Sequence, residues 1–256
     1  MIGQTTIRRA LGCWTLLLTV LLVAGTTPSS RVSADGSGER ATASDIQIAQ
    51  AKPKKFAYRP PMRGAPARRM AGSTRGAGGV DATLHVLAPD HVGLTAAARP
   101  SLYWYLSQPV AVRVEVAVIS EDAIDPLLEV AFDAGTAGIN RVSLADHGIE
   151  IAEDAEVEWS VAIVIDPAQR SKDIFTTGAL KRVALEPALT EKLALASAED
   201  RVALYAENGL WYDAIEAVSA LIDVAPGEAR WRGLRADFLD QVGLAEAAAF
   251  DRSQAR

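Results

Sequence analysis

The hydrophobic pattern of this chain changes once, close to Pro187, and this change limits the folds that the chain can adopt. Before Pro187, apolar residues alternate with polar ones, most clearly in Val112–Val118 and Val157–Ile165. A period of two indicates strands with one face in a core and the other face in water. After Pro187 the apolar residues recur at the three- and four-residue spacing of amphipathic helices. The sequence therefore predicts a β-rich part followed by an α-helical part.

Residues 81–186 are predicted to form an antiparallel β-sandwich of the immunoglobulin or fibronectin type III style. About seven short strands are expected here, turn signals separate them, and no helical pattern lies between them. The cysteine pair of immunoglobulin domains is absent, so the prediction concerns the architecture only. The expected strands are Leu84–Leu87, Leu102–Leu106, Val112–Val118, Leu127–Phe132, Asn140–Leu144, Val157–Ile165 and Ile174–Leu185.

Residues 187–256 are predicted to form a small helical tail with an internal repeat. When the sequence is shifted by 34 residues, Gly209 falls on Gly243 and Ala214 falls on Ala248. This offset is the period of tetratricopeptide repeats, whose units are antiparallel helix pairs. Within this tetratricopeptide-like tail we expect Ser197–Phe250 to form about four helices in two antiparallel pairs, with the two glycines at equivalent turns. Because fewer repeats are present than the roughly three needed for independent stability, these helices must pack on the sandwich or on a partner.

Three aromatic residues, Tyr205, Trp211 and Tyr212, cluster at the first predicted helix pair of the tail. They can either fill the joint between the two helices or form a stacking platform for a ligand. Aromatic side chains at helical spacing usually belong to a core, so the joint is the favoured interpretation. The platform stays open as the alternative.

Residues 1–34 resemble a secretory signal peptide. Two arginines precede the apolar run Ala10–Gly25, which is short for a membrane span of ~20 residues. Cleavage can follow Gly25 or Ala34, and an uncleaved anchor is the alternative. The one cysteine of the chain, Cys13, lies inside the run, so the mature protein would hold neither disulfides nor cysteine-ligated metals. We expect a periplasmic or extracellular protein without a transmembrane span after signal removal.

Residues 35–80 are predicted to be a disordered linker that leads into a basic arm rich in Pro, Gly and Arg. Between Lys52 and Arg75 there are eight Lys and Arg residues and no acid, whereas the chain from Asp81 onward has 29 acids and 14 bases. The arm can therefore bind an anionic surface or fold back onto the acidic body. The arginines of this possible interaction motif are Arg63, Arg68, Arg69 and Arg75.

A charged loop, DPAQRSKD, joins two of the predicted strands. Its residues Asp166, Arg170 and Asp173 can close a clasp in which the Arg170 guanidinium binds one of the carboxylates. A structural clasp is favoured over a ligand site. The rival hypothesis is an enzyme with a polar cleft between sandwich and helices, built around Arg170.

Motifs of common catalytic and metal sites are absent from the sequence. No Gly-rich phosphate loop precedes a predicted helix, and no Gly-x-Ser-x-Gly elbow occurs. His85, His91 and His147 lack the spacing of metal ligands. The acids between Glu153 and Glu158 alternate with apolar strand residues and lack the glycine turn of a calcium loop. We therefore expect no cofactor, no metal, no catalytic residue and no nucleic-acid partner.

Four segments occur in an order that resembles a bacterial family, domain of unknown function 928. They are RPPMRGAPARRMAGSTRG, HVGLTAAARPSLYWYL, IDPAQRSKDIF and RVALYAENGLWYDA, and the resemblance extends over about residues 59–250. It implies an exported protein with no established activity, and it gives no catalytic residue to carry over. The favoured function is thus a non-catalytic binding or scaffold module of the cell envelope, whose partner is another envelope protein or an anionic surface.

The resemblance also separates the two halves of the arm. It implies that Arg63–Arg75 packs on the folded core, because this motif is shared along with the core. Lys52–Phe56 lies outside the resemblance and is expected to stay free. Deletion of Ala51–Tyr58 is therefore expected to leave the melting temperature nearly unchanged and to weaken binding to anionic membranes or polymers.

Overall fold

The structure is a computed structural model that describes residues 56–61, 72–73, 80–120 and 125–255. These residues form nine strands, five α-helices and one short 3-10 helix, Arg170–Lys172. The strands are β1 (Gly72–Ser73), β2 (Thr83–Val86), β3 (Gly93–Thr95), β4 (Ser101–Leu106), β5 (Val114–Ser120), β6 (Leu128–Phe132), β7 (Gly138–Ser143), β8 (Glu156–Ile163) and β9 (Ile174–Arg182). The helices are α1 (Pro187–Leu195), α2 (Ala198–Glu207), α3 (Trp211–Val224), α4 (Ala229–Gln241) and α5 (Ala245–Gln254).

The strands form two sheets that share one hydrophobic core. Sheet A has the order β1-β2-β4-β7, and its neighbouring strands are antiparallel. Sheet B has the order β3-β9-β8-β5-β6. Trp104 of β4 contacts Phe132 of β6, with ring centroids 5.9 Å apart, which brings side chains of the two sheets together.

One strand pair departs from the predicted antiparallel arrangement. β3 runs parallel to β9, beside Leu180–Arg182. Five other strands lie between β3 and β9 in the chain, so no tight hairpin fixes their relative direction. The prediction of a purely antiparallel arrangement is wrong at this edge, and sheet B is mixed.

The seven strands expected from the sequence are all present, with ends that differ by one to a few residues. In β5, Val114, Val116 and Val118 are buried and the intervening side chains are partly exposed, as a period of two requires. β1 and β3 have only two and three residues, which is too short to show a period, so sequence reasoning missed them.

All six residues of β4 are buried, so this strand has no exposed face. Trp104 faces the core shared with sheet B, whereas the ring of Tyr105 contacts Phe250 of α5 at a centroid distance of 5.7 Å. Alternate residues of a strand lie on opposite faces. At β4, sheet A therefore lies between sheet B and the helical tail.

The helical tail repeats one turn geometry. Gly209 and Gly243 both have a φ of 75°. The residue after each glycine donates its N–H to the carbonyl five positions earlier, over 3.0 Å in the first turn and 2.9 Å in the second. A left-handed glycine with this hydrogen bond is the Schellman motif that ends a helix. The prediction of equivalent turns is confirmed, and α2–α3 and α4–α5 are the two helix pairs.

The tail packs on the sheets, as the small number of repeats requires. Trp211 Nε1 donates to the carbonyl of Leu87 over 2.8 Å. The Tyr212 hydroxyl accepts from Trp159 Nε1 and donates to the carbonyl of Ala179, both over 3.0 Å. Leu87 follows β2 of sheet A, and the other two partners belong to sheet B. The first turn of α3 is therefore hydrogen-bonded to both sheets.

A buried ion pair joins α4 to α5. Arg235 Nε and Nη2 donate to the two carboxylate oxygens of Asp251 over 2.7 and 2.8 Å. Arg235 Nη1 also donates to Ser219 Oγ of α3 over 2.9 Å. The bidentate geometry and the third hydrogen bond offset the loss of hydration of two buried charges. The pair thus fixes three helices relative to one another.

Tyr58 packs on the folded body, which is the folded-back alternative for this end of the arm. Its side chain is buried, and its ring contacts Trp211 edge-on at a centroid distance of 4.9 Å. Its backbone N–H donates to Gln241 Oε1 over 2.9 Å. Burial of an aromatic side chain removes roughly 150–250 Å² of surface from water. This gain explains why Tyr58 is ordered although the residues around it are mostly polar.

The residue after Tyr58 is also bonded to the tail. Arg59 N–H donates to the carbonyl of Ala206 in the last turn of α2, over 3.0 Å. At Tyr58 and Arg59 the chain therefore follows the folded-back alternative for the arm. These contacts argue against the expectation that deletion of Ala51–Tyr58 leaves the melting temperature nearly unchanged, which a deletion variant still has to test.

The predicted signal peptide, residues 1–34, and both expected cleavage sites lie outside the described residues. Within the described part of the chain, no helix is long and apolar enough to cross a membrane. The cleaved export signal remains a prediction.

Candidate functional site

An open groove of about 390 Å³ lies between α2, α3 and the loop that follows β3. Its apolar part consists of four alanines with Leu221 and Val224, and Val224 is 85% exposed. Its polar part holds one tyrosine, one arginine and two carboxylates. We call it the α2–α3 groove. It is lined by Ala97, Ala198, Arg201, Tyr205, Asp213, Glu216, Ala217, Ala220, Leu221 and Val224.

One carboxylate of the groove, Asp213, belongs to the first turn of α3. Its Oδ2 accepts the N–H of Ala96 over 3.0 Å, and the residue is only 8% exposed. Burial raises the pKa of Asp213 to about 6, although the hydrogen bonds from Ala96 and Thr95 act to lower it. The negative charge of Glu216 raises the pKa further. Asp213 therefore bonds α3 to the loop after β3.

The second carboxylate, Glu216, lies one helical turn after Asp213. Its Oε1 accepts from Ser101 Oγ over 2.8 Å, and its Oε2 accepts from Ser101 N–H over 3.3 Å. Ser101 begins β4. Both carboxylates of the groove thus connect α3 to the β part of the molecule and fix this wall.

The α2 wall presents Arg201 and Tyr205. Arg201 Nε donates to the carbonyl of Leu193 near the end of α1, over 3.0 Å. Burial raises the pKa of Tyr205, and the charge of Asp213 adds to this effect, so the phenol stays protonated at neutral pH. The groove therefore offers a guanidinium and a neutral hydroxyl beside an apolar floor.

Comparison with known proteins identifies one family. Residues 70–251 match the Domain of Unknown Function DUF928. The chain belongs to the DUF928 family. The resemblance carried by the four sequence segments is thereby confirmed. The DUF928 match includes every residue that lines the α2–α3 groove, but it begins after Tyr58, which packs on the same folded body.

Among curated proteins, none matches this DUF928 chain. A solved structure with a partial likeness is that of a multi-domain immunophilin from Arabidopsis thaliana. It aligns with 75% of this chain and 99% of its own, at 7% identity and a TM-score of 0.16. A likeness at this score supports no argument about fold or function.

The three aromatic residues singled out from the sequence fall into two environments in this DUF928 protein. Trp211 and Tyr212 are 0% and 2% exposed, and they join α3 to the sheets. Tyr205 is partly exposed and lines the groove. The three rings do not share one accessible face, so a platform of all three is not formed.

The charged loop between β8 and β9 forms a clasp on sheet B. Arg170 Nη2 donates to Glu115 of β5 over 2.5 Å, and Arg170 Nε donates to Asp173 over 2.6 Å. Asp166 instead lies 3.6 Å from Lys172 Nζ. Arg170 thus binds two carboxylates, and sequence reasoning missed Glu115 because it lies far away in the chain.

The remaining sites considered from the sequence are the metal-ligand candidates, the histidines and the arm arginines. Among the described residues, no group of three or more His, Cys, Asp or Glu side chains is arranged to hold a metal ion. His91 Nε2 lies 2.9 Å from the Tyr58 hydroxyl, and its Nδ1 lies 3.2 Å from Asp90 Oδ1, so this histidine helps to hold Tyr58. The arm arginines lie outside the described residues: Arg63, Arg68, Arg69 and Arg75.

Sequence reasoning missed the two carboxylates of the groove. Acids are common in the first turn of a helix because they interact favourably with the helix dipole. An acid at this position therefore gives no sign of a further role. The available signal is the position of Asp213 between Tyr212 and Ala214, within the apolar part of α3. An acid inside an apolar helix segment needs a buried hydrogen-bond partner, which here is the N–H of Ala96.

Proposed function

We propose that this DUF928 protein is a non-catalytic, exported binding module of the cell envelope, and that its α2–α3 groove binds an amphipathic helix of a protein partner. The observation that carries the proposal is a difference between the two helix pairs. With the 34-residue offset, Arg201 corresponds to Arg235, and Ala217 corresponds to Asp251. The second pair supplies its arginine with a buried acid. At that position the first pair has an alanine in an open groove.

The apolar floor of the groove suits a helix. Ala217, Ala220 and Val224 follow one another at helical spacing on one face of α3. Ser219, which bonds to α4, is two positions from Ala217 and thus ~200° around the helix, on the opposite face. Small floor residues permit the close approach of another helix, and an apolar strip with a charged rim is a common form of helix-binding groove.

The rim sets the chemistry of the bound helix. Arg201 is exposed and lines the groove beside Ala217. An acidic residue on the bound helix would form with Arg201 the kind of pair that Asp251 forms with Arg235. The expected ligand is therefore a helix that carries an apolar side chain and an acid about one turn apart.

Catalysis is the second candidate, because Asp213 and Glu216 lie side by side in a cleft between helices and sheets. Both carboxylates accept hydrogen bonds from fixed groups of the β part. These contacts support a positioning role over proton transfer to a substrate. For this second candidate we would place the catalytic centre at Asp213 and Glu216 in the groove and no longer at Arg170.

Site-specific photo-crosslinking in cells tests the binding proposal. A photoreactive residue at Ala220 of the full-length chain is expected to trap a protein partner through a helical peptide. The matched control carries the same residue at Ala131, which is exposed on β6. Trapping at Ala220 should be lost in a Val224→Glu background. Equal trapping from Ala131, or indifference to Val224→Glu, would contradict the proposal.

The proposal includes a finer description of the fold. We assign the two sheets to an immunoglobulin- or fibronectin-like sandwich, which their shared core supports. We assign α2–α5 to a tetratricopeptide-like tail, which the repeated turn supports. An experimental structure in which the sheets cross far from the ~30° of aligned sandwiches would contradict the first assignment.

Export is the remaining part of the proposal. The basic and apolar start of the chain supports removal of a signal before Lys52. The intact mass of the protein isolated from cells measures this directly. Retention of Met1–Gly25 would contradict cleavage and support an anchor. The basic arm remains a proposed contact to an anionic surface.

A further inference from the structure

Close in sequence to the α2–α3 groove, the chain exposes a large apolar side chain at the end of α1. Leu195, the last residue of α1, is 90% exposed. Leu189 and Leu193 are the buried residues of this helix. Leu195 is two positions from Leu193, ~200° around the helix, and so lies off the buried face of α1, where it lines an open groove beside Leu204 of α2.

Two charged residues accompany Leu195 on α1. Glu191 lies four positions before it and Lys192 three positions before it, so both lie within one helical turn of Leu195 on its exposed side. The outward side of α1 therefore presents an apolar side chain with an acid and a base one turn away. This is the pattern that the α2–α3 groove, with its apolar floor and its Arg201, is expected to bind.

The groove and the outward side of α1 are neighbours on the same molecule. Only Ala196 and Ser197 separate Leu195 from Ala198, which lines the groove. A projection next to a complementary cavity makes a surface self-complementary under a two-fold rotation. In such a pair, each copy inserts its Leu195 into the groove of the other copy.

We infer that the occupant of the α2–α3 groove is α1 of a second copy of this chain, in a symmetric dimer. This inference rests on the proposed function of the groove. Leu195 of each copy contacts Val224 and the alanine floor of the other. Glu191 of each copy pairs with Arg201 of the other and supplies the acid that Ala217 does not.

The mass of the protein in solution tests the inference. The chain from Lys52 to Arg256, which forms one compact unit, is suitable for sedimentation velocity. A dimer is expected, and Leu195→Glu and Val224→Glu should each raise its dissociation constant by roughly 30-fold or more, as buried centres of interfaces do. Ile119→Glu, at an exposed apolar residue of sheet B, is the matched control and should change nothing.

A charge exchange makes the test specific for this interface. Glu191→Arg and Arg201→Glu should each give a monomer, because each places like charges at both contacts of the pair. When the two monomeric variants are mixed, a heterodimer should form, since both of its contacts then join opposite charges. Thermal melts of each variant confirm that it is folded. A native chain that stays monomeric, or a mixture that stays monomeric beside a native dimer, would overturn the inference.

The outcomes separate this inference from the proposed function. If the native chain is monomeric but the photoreactive residue at Ala220 traps a different protein, the groove binds a foreign helix and only the dimer is refuted. If neither a dimer nor a trapped protein is found, both proposals fail.

Discussion

The two helix pairs of the tail share one turn geometry and differ in how their faces are closed. In α4–α5, Arg235 is sealed by Asp251 inside the core. In α2–α3, the equivalent arginine faces Ala217 in an open groove, and the acids of α3 bond to the β part instead. The shared turns form both helix pairs. The difference between Ala217 and Asp251 determines that α4–α5 is closed and that α2–α3 is open for binding.

The largest effect is expected from breaking the closed pair. Asp251→Ala leaves Arg235 as a buried charge without its carboxylate and should lower the free energy of unfolding by about 3–5 kcal/mol. Urea denaturation measures the change. Asp240→Ala is the matched control, because Asp240 pairs with Arg252 at the surface and should cost at most ~1 kcal/mol. A small effect of Asp251→Ala would show that the closed pair does not depend on this ion pair.

Tyr58 contacts both pairs, through Trp211 in α3 and Gln241 in α4. Tyr58→Ala should lower the free energy of unfolding by about 2–4 kcal/mol, since a buried aromatic side chain is lost. Arg59→Ala keeps the backbone N–H that bonds to α2 and should change little. Equal melting temperatures for Tyr58→Ala and the native chain would restore the idea of a free arm.

The two turns should differ in sensitivity although their φ angles agree. Alanine at a left-handed position costs roughly 1–2 kcal/mol, which is the loss expected for Gly243→Ala. At Gly209 an added Cβ would also lie 3.0 Å from the carbonyl oxygen of Arg59, so Gly209→Ala should cost more. Chemical denaturation of the two variants gives the comparison. A larger loss of unfolding free energy for Gly243→Ala than for Gly209→Ala would mean that the contact with Arg59 does not restrict the turn at Gly209.

Asp213 should make stability depend on pH. Its folded pKa of about 6 lies above the ordinary ~3.9, so the native state binds a proton more tightly and stability falls as pH rises from ~4 to ~6. Asp213→Asn keeps an oxygen for the Ala96 N–H and removes this dependence. The variant should exceed the native chain by about 3 kcal/mol at neutral pH, since each pKa unit corresponds to ~1.4 kcal/mol, and the two should nearly agree near pH 4. Urea denaturation of the native chain and the variant at pH 4 and pH 7 measures both differences.

The smallest change in stability is expected from making the two pairs alike. Ala217→Asp gives Arg201 the acid that Arg235 has, and this exposed pair should alter the free energy of unfolding by at most ~1 kcal/mol. The same change should abolish trapping at Ala220 and dimer formation, because the acid takes the place of the bound helix. Melting curves and sedimentation measure both effects. If the Ala217→Asp variant dimerises normally, Arg201 takes no part in binding.

The sequence predicted the periodic features and missed those that depend on contacts distant in the chain. The alternation around Val116 and the spacing of Gly209 and Gly243 are local, and each predicted its element correctly. The parallel pairing of β3 depends on β9, which a three-residue strand does not encode. The groove wall depends on the hydrogen bond between Asp213 and Ala96, which are far apart in the chain, and no local sequence pattern predicts that pairing.

The arm illustrates the same limit at larger scale. Its composition indicates disorder, and only the partners of Tyr58, which lie in the tail, show why this residue is ordered.

The repeat alignment nevertheless contained a useful difference. Ala217 against Asp251 is visible in the sequence, but its meaning depends on knowing that Asp251 is buried with Arg235.

The hydrogen bond from Tyr58 to Gln241 also has a consequence for the order of folding. The two residues are 183 positions apart, so the ribosome must make nearly the whole chain before this contact can form. Contacts of such high sequence separation form slowly, because a long loop must close before they add any stability. The contact between the two ends of the folded body is therefore expected to form late. In a nascent chain that ends before α4, the Tyr58 segment is already made but Gln241, one of its partners, is not.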